Sequence, residues 1–128
     1  MNLLLDTHTL LWFIMEDQKL PKSVKARIEK SERGCFTSIA TLWEIGIKYS
    51  LGRLEIHTSL ETLFELVEKS GVKLLSISTS HIQTNSSLPH HHRDPFDRMI
   101  IAQSVCEDMT VVTKDRQFDL YDVKILWE

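Results

Sequence analysis

Asn2-Leu3-Leu4-Leu5-Asp6 is the stretch on which the fold turns: three leucines in a row, closed by a carboxylate. A continuous apolar run, as opposed to an alternating one, reads as a strand covered on both faces, and the acid as the point where the chain leaves the sheet. Leucine composition alone leaves a helix open. Immediately beyond it, residues 10–15 carry helical periodicity, and this pairing of a short apolar run with a periodic segment recurs along the chain.

Working outward, residues 21–31 read as a polar helix with proline in its first turn, Gly34 as its stop, and Cys35-Phe36-Thr37 as a second strand. Ser38 is placed to cap an apolar helix over residues 39–51 that closes at Gly52. Thr58-Ser59-Leu60-Glu61 offers a capping box, and Leu60, Leu63, Phe64 and Val67 follow on one helical face before Gly71. Residues 72–77 predict a third strand, 78–87 a short helix, and 88–93 a loop. Asp94-Pro95 supplies an N-cap and a proline at N1 for a helix to about Glu107. Residues 110–113 then predict a fourth strand, 114–117 a polar turn, and 123–126 a fifth strand. Strands alternating with helices imply parallel pairing, right-handed crossovers and helices on both faces of one sheet.

The chain has 128 residues, a length that suits one domain over residues 1–128. With 42% hydrophobic and 26% charged residues, four glycines and three prolines, a disordered or collagen-like chain is excluded. The net charge of −3 gives no basic excess of the kind that announces nucleic acid, and does not exclude it. Cys35 and Cys106 lie in apolar runs without CxxC spacing, which predicts core thiols, a reducing compartment and no disulfide. The apolar stretch 3–15 is broken by Asp6 and His8 and is too short to span a bilayer, so a cytoplasmic protein without membrane attachment is expected.

Parallel sheets place ligand sites beyond the carboxyl ends of their strands, and Asp6 and Asp115 both follow strands there. Glu44 is the only acid between Phe36 and Tyr49, in a helix that must be largely covered; a buried carboxylate needs a cation or a shifted pKa. Asp97 falls at N3 of its helix, where the helix dipole favours an anion, although spacing leaves open which edge of the sheet that helix starts from. Each acid also has a purely structural reading, as a turn, a cap or an ion-pair member, and Asp94 is read simply as the N-cap. Together, four converging carboxylates call for hard divalent cations, magnesium or manganese. Removing their four negative charges from the total of −3 leaves +1, so a metal-loaded protein could accept a polyanion. Two such ions can activate water and stabilise the leaving oxygen of a phosphodiester.

In this order, Leu4-Leu5-Asp6-Thr7-His8, Trp43-Glu44-Ile45, His92-Arg93-Asp94-Pro95-Phe96-Asp97-Arg98, Ile101-Ala102-Gln103 and Thr113-Lys114-Asp115 resemble the PIN-domain ribonucleases, specifically the VapC-type toxins of toxin–antitoxin pairs. The resemblance runs from near the first residue to the last strand. It implies an α/β/α sandwich with a central parallel sheet of about five strands. It also implies a catalytic and metal site of Asp6, Glu44, Asp97 and the more variable Asp115, holding one or two Mg2+ or Mn2+ ions. The implied activity is endonucleolytic cleavage of single-stranded RNA to 5′-phosphate and 3′-hydroxyl ends. The implied partners are RNA, a cognate antitoxin that fills the active-site groove, and a second copy in a homodimer.

Lys48, Arg93, Arg98 and Arg116 are candidate RNA-phosphate contacts, each with solvated surface charge as its alternative. His90-His91-His92 lacks the spacing of a zinc site and reads as loop. Trp12, Trp43 and Trp127 read as core or dimer contacts before base-stacking platforms. An aspartyl-phosphate phosphatase should carry a second acid where His8 stands, and a receiver-like domain needs an acid where Thr37 or Ile77 stands. An inactive PIN module that only binds its partner is the remaining alternative. Pairing of Glu44 with an arginine, or Asp6 and Asp97 on opposite rims, would end the nuclease reading.

Overall fold

The computed structural model describes residues 1–31 and 34–128. Leu3–Leu5 forms β1, buried along its whole length, with Leu4 and Leu5 wholly enclosed. It sits in the middle of a five-stranded sheet of order β3-β2-β1-β4-β5, whose other members are β2 (Cys35–Ser38), β3 (Lys73–Leu75), β4 (Thr110–Val112) and β5 (Lys124–Leu126). Every pairing is parallel, with Leu5 level with Thr37 on one side and Val112 on the other. All strand carboxyl ends therefore open onto one rim, as the alternating pattern predicts.

The pleat explains why the leucine run is continuous. Leu3 and Leu5 point into a core shared with Leu10, Val24, Ile45 and Leu63, contributed by helices α1 (Thr7–Ile14), α2 (Lys22–Lys30), α3 (Ile39–Ser50) and α4 (Leu60–Lys69). Leu4 points the other way, into a second core with Ile100, Ile101, Val111 and Phe118. That face is covered by α6 (Pro95–Glu107), beside which lies α5 (Thr79–Ser87). The architecture is the expected three-layer α/β/α arrangement.

Several local expectations need correction. The first helix starts at Thr7, not residue 10, because the Asp6 side chain accepts the Thr9 N–H and so caps it. Ser59 caps α4 through the Thr62 N–H, while the reciprocal capping box sits at Ser78 and His81. There the His81 ring replaces the usual Glu or Gln, a substitution the standard pattern misses. The third strand shrinks to three residues at the sheet edge. Cys35 is buried as expected, but Cys106 is exposed on the outer side of α6, where Thr84 and Ser80 approach its sulfur; both thiols are free. Trp43 is not a core residue: it is 64% exposed and meets Phe96 edge-on, whereas Trp12 and Trp127 are partly buried against each other. Among the described residues no helix is long and apolar enough to cross a membrane.

Candidate active site

Asp6 leaves β1 directly onto the rim and is held by both of its oxygens. Oδ1 accepts the Thr9 N–H at 2.9 Å and Oδ2 accepts the Thr113 hydroxyl at 2.6 Å. The same Thr113 oxygen accepts the Asp115 N–H at 3.0 Å, so one hydroxyl ties the loop after β4 to the end of β1. Burial pushes the Asp6 carboxyl above its ordinary range, with the bonds from Thr113 and Thr9 opposing that shift.

Glu44 enters from the second turn of α3, which starts at the rim because β2 runs straight into its Ser38 cap. It is buried, with Oε1 accepting the Thr7 hydroxyl and Oε2 accepting Lys48 Nζ, both at 2.6 Å. The cation that burial demanded is thus a lysine one turn along the same helix. This is the structural alternative for Glu44, a buried carboxylate neutralised by an arginine or a lysine, realised with a lysine; the arginine pairing that would have ended the nuclease reading is not what forms.

Asp97 settles the edge that spacing left open. Only Asp108 and Met109 separate α6 from β4, so α6 must finish at the strands' amino ends and begin at the rim. Asp94 caps it as expected, Oδ1 accepting the Phe96 and Asp97 N–H groups at 2.8 and 3.2 Å. The Asp97 carboxyl is pushed up to about 8, first by burial, then by the negative charges of Asp94, Asp6, Glu44 and Asp115. Asp6 and Asp97 therefore stand on the same rim, near enough for the charge of Asp6 to act on Asp97. Asp115 lies at its more open side, where Oδ1 also accepts the Gln117 N–H that starts the 3₁₀ turn Arg116–Leu120.

His92 is the residue that sequence reasoning missed. Its Nε2 is buried, 3.0 Å from Asp97 Oδ2 and 3.6 Å from Asp115 Oδ2, but lacks a well-directed hydrogen bond to either. Its Nδ1 accepts the Asp94 N–H at 3.3 Å, which assigns the ring proton of the neutral form to Nε2, and the ring stands edge-on to Phe118. His92, Asp97 and Asp115 each offer one ligand atom within 4.8 Å of the others. Position two residues before the Asp94 cap was the available signal, hidden by the neighbouring histidines.

The basic candidates divide. Arg98 is turned away from the rim and buried: its guanidinium donates to the carbonyls of Pro89, Asn85 and Leu88 and to the Tyr121 hydroxyl, so it is not a phosphate contact. Arg93 is exposed, and Arg116 is exposed beside Asp119 at 3.5 Å. Among the described residues, Lys48 is the one lysine or arginine in ion-pair contact with any of the four acids.

Among the described residues the group whose ligand atoms come together is His92, Asp97 and Asp115, one nitrogen and two carboxylate oxygens that fit a divalent cation, while Asp6 and Glu44 lie outside that group and act on Asp97 by their charge. The chain matches the family model for the PIN domain over residues 3–124. No curated protein is similar enough in sequence to count as a relative. Similar solved structures include DNA-bound VapBC from Salmonella typhimurium, 21% identical with a TM-score of 0.72 over 98% of this chain and 97% of that one. VapBC2 from Rickettsia felis bound to a promoter DNA fragment is 17% identical, with a TM-score of 0.74 and complete coverage of both chains. FitAcB from Neisseria gonorrhoeae is 19% identical, with a TM-score of 0.68 over 97% of this chain and 96% of that one.

Proposed function

The chain belongs to the PIN domain family, and on that premise we propose that it is a Mg2+- or Mn2+-dependent endoribonuclease acting on single-stranded RNA, the toxin of a toxin–antitoxin pair. The observation that carries the reading is Asp97, whose carboxyl lies with ligand atoms of His92 and Asp115 within 4.8 Å of one another and is pushed up to about 8, first by burial and then by the charges of Asp94, Asp6, Glu44 and Asp115. A protein gains nothing structural from stacking like charges, and a bound dication relieves them.

In this reading Asp6, Asp97 and Asp115 hold the ion or ions with Glu44. When bound, the metal supplies activation of water and charge stabilisation at a phosphodiester. The chain's own part is orientation. Thr113 fixes Asp6 relative to the loop of Asp115, Thr7 fixes Glu44, and the α6 amino terminus adds a favourable field at Asp97. Arg93 and Arg116 stand exposed, Arg116 beside Asp119, and are the remaining candidates to meet RNA phosphates. VapBC and FitAB complexes among the structural neighbours support an antitoxin as the partner class. A second copy has a candidate face in exposed Trp43 and Ile82, which line an apolar hollow of about 300 Å³ together with Phe96 and Met99.

The test incubates purified protein with unstructured and structured RNA, in Mn2+ or in EDTA, beside Asp6→Asn and Asp97→Asn. Cutting of unstructured RNA in Mn2+ alone, lost in both variants, is expected. Cutting that survives both substitutions overturns the site. No cutting by the unsubstituted protein, together with tight binding of a small partner protein, favours the inactive module.

A further inference from the structure

Both oxygens of Glu44 are already engaged. One is taken by the Thr7 hydroxyl and the other by Lys48 Nζ, each at 2.6 Å, with the carboxylate itself buried. A dication approaching Glu44 therefore meets an ammonium already in place. The two partners differ in how firmly they are held. Thr7 is buried in the first turn of α1. The Lys48 side chain is 40% exposed and lies along a groove of about 520 Å³, which it lines with Trp12, Arg53 and His57. Its stem has open space to swing into, and the energy that holds it is that of a half-exposed i,i+4 pair.

We propose that Lys48 is a displaceable counter-ion of the metal site: it neutralises Glu44 while the metal is absent, and metal binding drives its ammonium off Glu44 into the adjoining groove. This rests on the metal-site reading above and adds a positioning residue to it. The electrostatic sign is fixed. A unit positive charge in contact with a ligand carboxylate competes with a dication for the same oxygen and repels it through space. The retained cost is a weaker metal site, and the gain is a Glu44 that stays correctly placed in the metal-free protein.

Two measurements test the displacement. Isothermal titration with Mn2+ compares the unsubstituted protein with Lys48→Met, which keeps the aliphatic stem and removes the charge; the variant is expected to bind Mn2+ about five- to tenfold more tightly. Acylation of the Lys48 amine, followed by mass spectrometry on the unsubstituted chain, is expected to be slow in EDTA and several-fold faster in Mn2+, with Lys124 as an internal reference. The second measurement needs no variant, and stands if Lys48→Met does not fold. Unchanged or weaker Mn2+ binding by the variant overturns the proposal, as does a Lys48 reactivity indifferent to Mn2+. Absence of Mn2+ binding by the unsubstituted protein overturns the metal reading and this inference with it, whereas normal binding with an inert Lys48 sinks this inference alone.

Discussion

Two polar clusters adjoin the first turns of α6, one around Arg98 and one around Asp97, and their charges are met in different ways. In the first, Arg98 is buried with its guanidinium donating to three backbone carbonyls and to Tyr121, whose hydroxyl donates to Pro89 and accepts the N–H groups of His91 and His92. Charge there is fully committed to hydrogen bonds, and it fixes the loop that leads into α6. In the second, the same loop and helix deliver His92 and Asp97 into a group of acids that repel one another. The first cluster is satisfied within the chain. The second is satisfied in part: Asp6 and Glu44 have partners within the chain, whereas Asp97 is held above its ordinary range by burial and by neighbouring acids, the mark of a candidate site.

The sharpest way to break the comparison is at Asp97. Replacing it with asparagine should cut metal-dependent RNA cleavage at least about a hundredfold, measured as initial rate, while raising the melting temperature of the metal-free protein. A drop in melting temperature would mean that Asp97 is as satisfied as Arg98. Replacing Arg98 with methionine should do the reverse, lowering stability by about 3 kcal/mol in urea titration, because the carbonyls it serves lose a charged donor. Tyr121→Phe, which removes only the hydroxyl at the centre of that network, should cost about 1 to 2 kcal/mol.

The pH response sharpens the same contrast. Asp97 ionises near 8 in the folded chain against a reference of 3.8, so the folded state holds that proton more tightly than the unfolded one. Metal-free stability should therefore fall as pH rises from about 4 to about 8 and flatten above; the buried Asp6 acts in the same direction. Since Mn2+ must displace the proton, its affinity should climb from pH 6 to 8 and then level off, and calorimetry at several pH values checks both. Asp97→Asn should remove most of the slope and Arg98→Met should not alter it. The smallest effect belongs to Arg116→Ala, exposed and paired with Asp119: no change in melting temperature, and RNA binding weakened about two- to threefold with a shallower salt dependence.

Much of this was determined locally. The unbroken Leu3-Leu4-Leu5 run required cover on both faces, and the alternation of strands with capped helices required parallel pairing, so Asp6, Asp115 and a helix bearing Glu44 had to reach one rim. Asp94 was legible as a cap because cap preference depends on a few adjacent residues. What tertiary structure decided were the pairings between distant segments. Arg98 reads as a surface cation until the 85–89 carbonyls close round it, and His92 reads as loop until α6 carries Asp97 against its ring. Cys106 sits in an apolar run yet on the outer side of its helix, and Lys48 was offered to RNA but lies on Glu44. Periodicity says which residues leave the solvent; only packing says which charges then have to live together.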